Sequence, residues 1–181
     1  MGTQLERQVL GNFHHLLYAE APDFYERYLQ NPSYSLGNIT SGGTVSNITA
    51  MSYALARQLS GSEAGKGLNK VGLVNSLRAH GYSRVVLIGS AFCHYSMNKA
   101  LKLLGLGTES FVPFDLDVKQ LAASKAALQV RIAQLRAEGA LVLAIIGVAG
   151  TTEAGKIDPL EPLAEVAEAN DIHFHVDGAF G

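Results

Sequence analysis

Four short segments of this sequence carry the residue types that bind ligands or transfer protons. They are "TSGGT" (40–44), "FCHYS" (92–96), "GTTEAGKIDP" (150–159) and "HFHVDGAFG" (173–181). The chemically active residues of the last three come just after, or at the end of, apolar runs that are typical of buried strands. Ligands of open parallel sheets bind at the carboxyl ends of the strands. We therefore expect these segments to meet at one edge of a sheet.

The segment "TSGGT" has the composition of an anion-binding helix start. Its glycines allow backbone N–H groups to approach an anion closely, its hydroxyls add donors, and the helix that follows contributes its positive end. A phosphate is the natural ligand. The pattern is not a P-loop, because no lysine follows the second glycine, and it is not GxGxxG. The alternative is a tight turn in which Thr44 caps the helix.

His94 lies a few residues after the apolar run "RVVLIG" (84–89). A histidine at the end of a sheet could act as a base, bind a metal or offer a flat ring for stacking. A metal site is not favoured, because the nearest histidine in sequence, His80, is too far away to form a metal-binding motif with His94. The alternative is a hydrogen-bonded structural histidine at a helix start. The adjacent Cys93 fits a buried free thiol better than a Cys–His nucleophile, because neighbouring side chains usually point apart.

Asp177 ends an apolar run and is followed by the small residues Gly178 and Ala179. A carboxylate in apolar surroundings needs a partner, and the protonated ring nitrogen of a flat ligand would serve. The alternative is an aspartate that caps a following helix. His173 and His175 share one face of the strand and suggest a metal site with Asp177, which we do not favour because no second cluster supports it.

The segment 150–159 has glycines and hydroxyls that suit a loop passing close to a ligand. Asp158 precedes Pro159, an arrangement typical of a helix start. By itself this segment indicates no particular chemistry.

Helical patterns and short apolar runs alternate along most of the chain. A first helix is expected from Thr3, which has capping-box spacing to Glu6, and a second from Pro22. Further helices are expected near 45–59, 71–80, 95–104, 117–138 and 160–169, strands at 84–89, 110–114, 140–150 and 172–176, and a surface loop at 60–69. Continuous apolar runs separated by amphipathic helices indicate a parallel sheet covered on both faces. The predicted fold class is therefore α/β.

Composition limits the possible partners. With 181 residues and 48% hydrophobic residues, the chain can form one well-buried domain. The net charge of -2 provides no excess of basic residues for a nucleic-acid backbone, and no apolar run is long enough to span a bilayer. A single cysteine excludes an internal disulfide framework. We expect a cytoplasmic protein with a small-molecule ligand, no metal, and neither a nucleic-acid nor a membrane partner.

Taken together and in this order, the segments resemble the group II pyridoxal-phosphate-dependent amino-acid decarboxylases, which include glutamate, aromatic amino-acid, aspartate and diaminobutyrate enzymes. The matching stretches are "LGNITSGGTVSN", "HYSMNKALKLLGLG", "GVAGTTEAGKIDPLEPLAEVAE" and "HFHVDGAFG". The resemblance covers nearly the whole chain. It implies the fold-type I large domain, a mainly parallel sheet with helices on both faces, and pyridoxal 5'-phosphate as the cofactor.

The resemblance also implies a set of cofactor-binding residues: Gly43, Thr44, His94, Thr152, Asp177 and Ala179. Gly43 and Thr44 would hold the phosphate, and His94 would stack on the pyridine ring. Ala179 would pack against the other face of that ring.

Of these residues, the resemblance makes His94 and Asp177 the catalytic ones. Asp177 would pair with the ring nitrogen and keep it protonated, so that the ring can accept the electrons released when the α-carboxylate of the substrate leaves as carbon dioxide. Thr152 would lie near the cofactor. Asp158 would stabilise the position of Thr152 without contacting the cofactor itself.

The sequence departs from the family pattern in two places. Gly178 stands where the family commonly has alanine, a change that we expect to be tolerated. The lysine that binds the cofactor covalently in the family is expected beyond Gly181, so the 181-residue chain is expected to be inactive alone. The implied organisation is an N-terminal helical segment (1–36) that leads into a large domain (37–181), incomplete at its C-terminus, with the small C-terminal domain absent and a homodimer at full length.

Two other functions stay open at this point. One is a different fold-type I enzyme, such as a desulfurase or a carbon–carbon lyase, which would share a glycine cup, a histidine and an aspartate. The other is a non-catalytic α/β module that binds a phosphorylated ligand. Within the decarboxylases, the segments "FHVDGAFG" and "KALKLLGLG" favour an acidic or diamino-acid substrate.

Overall fold

The structure is a computed structural model that describes residues 2–61 and 67–181. The chain divides into two compact units, Met1–Ser41 and Gly42–Gly181. Most of the surface loop predicted at 60–69 falls on residues 62–66, which lie outside the described residues.

The N-terminal unit contains the two expected helices, α1 (Gly2–Tyr18) and α2 (Pro22–Tyr28). The predicted start of α2 at Pro22 is confirmed, and proline suits this position because its fixed φ and missing N–H match a first helical turn. The predicted start of α1 is wrong: α1 begins at Gly2, so Thr3 lies inside the helix rather than ahead of it. Helix ends are set by hydrogen bonds that a capping pattern indicates only to within a residue or two.

The second unit alternates helices and strands. Its helices are α3 (Gly43–Gln58), α4 (Leu68–Ala79), α5 (Ser96–Leu103), α6 (Leu121–Ala137) and α7 (Leu160–Ala169). Its strands are β1 (Arg84–Gly89), β2 (Phe111–Pro113), β3 (Ala140–Val148) and β4 (His173–Asp177). Each element that the sequence predicts here is present, and most boundaries differ by one to four residues.

The strands form one sheet in the order β2-β1-β3-β4, and every neighbouring pair is parallel. The predicted α/β class with a parallel sheet is therefore confirmed. After β1 the chain first adds β2 on one side and later β3 on the other. The carboxyl ends of β1 and β3 thus lie where the strand order reverses, which is where α/β sheets form their ligand crevices.

The core consists of one apolar layer on each face of the sheet. One layer packs α3 and α5 against the strands, and the other packs α6 and α7 against the opposite face. All nine residues of β3 are buried, because this strand is central and is covered on both sides. The register between β1 and β3 shifts after Val86, which pairs with Val142, while Leu87 pairs with Ala144. Leu143 is the extra residue of this bulge and lies fully buried in the first layer.

Two predicted helices differ in detail. Gly72 has φ 77° and ψ 169°, so α4 is interrupted there, a conformation that glycine adopts without steric cost. The helix expected from residue 117 begins with a 3-10 turn (Val118–Gln120), and its α-helical part starts at Leu121. The Asp117 side chain accepts the N–H of Lys119 and so ends the preceding extended segment. Within residues 2–61 and 67–181, none of the helices combines the length and the apolar character that crossing a bilayer requires.

We predict that Leu143→Ala destabilises the protein by about 3 kcal/mol, because it removes a fully buried side chain from the centre of the sheet and leaves a cavity. Urea unfolding followed by circular dichroism measures the change. Leu103→Ala is the matched control, since Leu103 is 72% exposed and its truncation should change the free energy of unfolding by less than about 0.5 kcal/mol. Equal losses in the two variants would contradict the assignment of Leu143 to the core.

Candidate active site

One cavity of about 210 Å³ opens at the carboxyl ends of the strands. Segments that follow β1, β3 and β4 line it, together with the first turn of α3. The residues that border it are Gly43, Thr44, Asn47, Phe92, His94, Ser96, Val148, Gly150, Thr151, Thr152, Asp177, Ala179 and Phe180. The six residues predicted from the sequence to bind the cofactor all border this one cavity, although they are spread over most of the second unit.

The start of α3 forms one wall. Gly42 is the N-cap residue, and Gly43 and Thr44 are the first two residues of the helix. The alternative in which Thr44 caps the helix is therefore wrong, because Thr44 lies inside the first turn. A Cβ atom on Gly43 would come within 2.9 Å of the Cβ of Ala179, which leaves space for glycine only. The first N–H groups of a helix have no acceptor within the helix, so this wall is suited to an anion.

His94 lies on the wall formed by the segment after β1. Its Nδ1 atom accepts the N–H of Ser96, the first residue of α5, at 3.3 Å. The alternative of a hydrogen-bonded histidine at a helix start matches this contact, and the same ring also faces the cavity. Because Nδ1 accepts a hydrogen bond, a neutral His94 carries its proton on Nε2.

The loop between β3 and α7 forms a closed turn beside the cavity. Ala149 and Ile157 form an antiparallel bridge, and the Thr151 N–H donates to the carbonyl of Lys156 at 2.9 Å. Gly150 has φ 98°, a conformation that disfavours any residue with a Cβ atom. Thr152 lies exposed at the tip of this turn and borders the cavity.

Asp158 does not make the contact that the sequence suggested. Its carboxylate accepts the N–H of Val148 at 2.9 Å, and its own N–H donates to the Val148 carbonyl at 2.8 Å. It therefore secures the last residue of β3 rather than Thr152 or the start of α7. The two-way pairing explains why a carboxylate is buried here. Burial raises the pKa of Asp158, and the hydrogen bond from Val148 opposes that rise.

Asp177 is the last residue of β4, and only 9% of its surface is exposed. Oδ2 accepts the Nδ2–H of Asn47 at 3.0 Å, and Oδ1 accepts the N–H of Ala179 at 3.3 Å. The bond to Ala179 is an Asx turn at the end of the strand. Within the described part of the chain, each carboxylate oxygen thus has one protein donor and keeps further accepting capacity for a ligand in the cavity.

Asn47 connects the buried side chains of Ser96 and Asp177 with the half-buried ring of His175. Its Nδ2 atom also donates to Ser96 Oγ at 2.9 Å, and its Oδ1 atom pairs with His175 Nε2 at 2.8 Å. Burial lowers the pKa of His175 to about 4, so the ring is neutral near pH 7. The amide oxygen only accepts, so the His175 proton resides on Nε2.

The two histidines of β4 do not form the metal site considered above. The rings of His173 and His175 are stacked with centroids 6.4 Å apart, and the Nε2 atom of His175 is occupied by Asn47. The described residues contain no group of three or more His, Cys, Asp or Glu side chains that could bind a metal ion.

Sequence reasoning missed Asn47. It is a polar residue on the buried face of α3, one turn before Met51 and two turns before Ala54 and Leu55. A polar side chain in such an apolar stripe needs a buried partner, and this is the signal that could have identified it. The aromatic rings of Phe92 and Phe180, both largely exposed beside the cavity, were also not assigned.

Cys93 is half-buried rather than fully buried, and it packs against the core layer that α3 and α5 form with the sheet. Burial, together with the charges of Asp158, Asp177 and Asp115, raises its pKa to about 12. A thiol with this pKa is protonated at neutral pH and is a poor nucleophile. The interpretation of Cys93 as an unreactive free thiol is consistent with this environment.

We predict that Cys93 reacts with iodoacetamide at pH 8 far more slowly than an exposed cysteine, because only about one thiol in ten thousand is ionised four pH units below its pKa. Mass spectrometry of timed samples measures the rate. Ser33→Cys adds an exposed thiol to the same chain as an internal control. Equal rates at the two positions would contradict the raised pKa of Cys93.

We also predict a loss of stability in mild acid that depends on His175. Its pKa is about 6.5 when unfolded and about 4 when folded, so the unfolded state binds the proton first as the pH falls. The stabilisation is present above about pH 6.5, and about 2 kcal/mol of it is lost by about pH 5. Urea unfolding at both pH values measures this loss. His175→Gln should reduce it by a similar amount, and an unchanged pH dependence in this variant would refute the prediction.

Comparison with known proteins places the chain among enzymes of one kind. The family model described as "Pyridoxal-dependent decarboxylase conserved domain" matches residues 2–181. The aspartate 1-decarboxylase of Aliivibrio fischeri is 40% identical over 179 residues, which is 99% of this chain and 32% of that protein. The L-2,4-diaminobutyrate decarboxylase of Rhizobium meliloti is 33% identical over 150 residues, or 83% of this chain and 26% of that protein.

Solved structures of related proteins have a similar fold. Mouse CSAD superposes with a TM-score of 0.71 at 28% identity over 97% of this chain and 31% of its own. The glutamate decarboxylase domain of a Vibrio parahaemolyticus protein superposes with a TM-score of 0.64 at 32% identity over 78% of this chain and 29% of its own. The chain spans about a third or less of the length of these relatives. The resemblance found in the sequence is confirmed: this chain belongs to the pyridoxal-dependent decarboxylase family.

Proposed function

We propose that this protein decarboxylates an amino acid with pyridoxal phosphate bound in the cavity at the carboxyl ends of β1, β3 and β4. The observation that carries this proposal is the Asp177 carboxylate, which is buried in one wall of the cavity, while the N-terminus of α3 forms another wall. A ligand that is anionic at one end and cationic in its ring satisfies both walls, and pyridoxal phosphate has this charge distribution.

The residues of the cavity fit the phosphate end of the cofactor. Gly43 carries no side chain that could cover the backbone N–H groups of the first turn of α3, so an anion can approach them closely. The Thr44 hydroxyl would add a further donor. We infer that Gly43 and Thr44 hold the phosphate.

The residues also fit the ring end. Asp177 keeps accepting capacity on both carboxylate oxygens and would accept the proton-bearing ring nitrogen. The hydrogen bond from Ser96 fixes one side of the His94 ring, and this ring would stack on one face of the pyridine. Ala179 and Thr152 border the remaining space and would contact the cofactor.

Pyridoxal phosphate, when bound, would supply an electron sink for the electron pair that remains after the α-carboxylate leaves as carbon dioxide. Asp177 would hold a proton at the ring nitrogen, because a nearby negative charge favours the protonated state of that nitrogen. The part of His94 is to restrain the ring in one plane. The exposed rings of Phe92 and Phe180 stand beside the cavity and would limit the access of water to it.

We propose an acidic or diamino acid as the substrate. Two relatives are named aspartate 1-decarboxylase and L-2,4-diaminobutyrate decarboxylase, and the sequence segments noted above favour the same branch. A cytoplasmic location and a homodimeric assembly stay predictions, and sedimentation of the purified protein tests the second.

The proposed function is tested by measuring the carbon dioxide that the full-length gene product releases in the presence of pyridoxal phosphate. Aspartate, glutamate and 2,4-diaminobutyrate are offered separately, with tyrosine as the aromatic comparison. We expect release from one of the first three. Asp177→Asn should lower kcat by at least about a hundredfold while KM changes much less, because the aspartate acts on the reacting ring.

Asp171→Asn is the matched control. Asp171 is exposed and lies just before β4, and its φ of 51° is compatible with asparagine. The kcat of the Asp171→Asn variant should therefore equal that of the wild type. No release from any of the amino acids, or an Asp177→Asn variant with unchanged kcat, would refute the proposed function and favour a non-catalytic binding module.

A further inference from the structure

Hydrogen bonds of the Asn47 side chain join the start of α3 to the end of β4. Asn47 is 3% exposed, and its amide group uses both of its donor positions and one acceptor position on Asp177, Ser96 and His175. None of the roles assigned above to the residues of the cavity explains why a fully paired asparagine stands here.

The orientation of this amide follows from the chemistry of its neighbours. An ionised carboxylate can only accept hydrogen bonds, so the NH₂ group of Asn47 has to face Asp177. Its oxygen then has to face His175, whose Nε2–H donates to it at 2.8 Å. A flipped amide would place two oxygens against each other at Asp177, so the contacts define one orientation only.

We propose that Asn47 is a positioning residue, which directs the Asp177 carboxylate toward the ring nitrogen of the cofactor. The hydrogen bond from His175 fixes the orientation of the Asn47 amide itself. This inference rests on the proposed function. Without Asn47, only the N–H of Ala179 donates to the carboxylate within the described residues, and Oδ2 loses its donor. A carboxylate with one donor can rotate about its last bond, so it spends less time directed at the ring nitrogen.

The experiment compares two probes of the cavity in the full chain. Deoxypyridoxine phosphate has a methyl group in place of the aldehyde of the cofactor, so it binds without a lysine and reports on the phosphate and ring contacts together. Inorganic phosphate reports on the phosphate contacts alone. Asn47→Ala should weaken the binding of deoxypyridoxine phosphate about tenfold, the size of one hydrogen bond to a charged group. The dissociation constant of inorganic phosphate should not change.

Two further variants make the result specific. In the Asp177→Asn background, Asn47→Ala should weaken the binding of deoxypyridoxine phosphate by less than about twofold, because Asn47 acts through the charge of Asp177. Asn75→Ala is the matched control, since Asn75 is exposed on α4 and its side chain donates to the Val71 carbonyl of its own helix. Its affinity for both probes should equal that of the wild type.

The outcomes separate this inference from the proposed function. If the wild-type chain binds neither probe, both fail. If the wild type binds deoxypyridoxine phosphate and Asn47→Ala binds it equally well, the positioning role is refuted and the proposed function stands. An equal loss for both probes would mean that the variant distorts the start of α3, and it would also refute the positioning role.

A measurement on the wild-type chain covers the case in which Asn47→Ala does not fold. Nitrogen NMR of the labelled histidine rings distinguishes the two neutral forms of His175. The proposal requires the proton on Nε2 at pH 7. A proton on Nδ1 would mean that the Asn47 amide is reversed, with its oxygen toward Asp177, and it would overturn the inference.

Discussion

A carboxylate that is removed from water has to be matched by donors or by a positive charge, and Asp177 is in this position at the end of β4. Among the residues that the structure describes, its donors are one amide side chain and one backbone N–H. These contacts hold the carboxylate in place and leave its outer lone pairs directed to the cavity. The contact from Asn47 also connects β4 to α3, so the geometry of the site depends on this buried carboxylate.

The parallel sheet explains why distant segments meet around this charge. The central strand β3 is buried along its whole length, which requires helices on both faces and brings the carboxyl ends of β1, β3 and β4 to one edge. The helix α3 packs on the same sheet and presents its N-terminus at that edge. A helix N-terminus and a carboxylate that line the same cavity favour a ligand with separate negative and positive ends.

Much of this arrangement could be predicted from the sequence, because buried parallel strands appear as continuous apolar runs and ligand residues follow them. His94, Thr152 and Asp177, which border the cavity, were located in this way. The pairing of Asn47 with Asp177, 130 residues away, could not be, because it depends on how α3 lies on the sheet. The same holds for Asp158, whose partner Val148 is set by the closed turn between them, and for the start of α3 at Gly43, which only backbone geometry decides.

The central claim is that the cavity binds pyridoxal phosphate with the Asp177 carboxylate on the ring nitrogen. Nitrogen NMR of deoxypyridoxine phosphate, labelled at the ring nitrogen and bound to the chain, tests this claim most directly. A protonated ring nitrogen is expected in the wild-type complex even at pH values where the free compound has lost that proton, and this protection should be lost in Asp177→Asn. A bound ring nitrogen that titrates as it does in water, or identical behaviour in the two proteins, would contradict it.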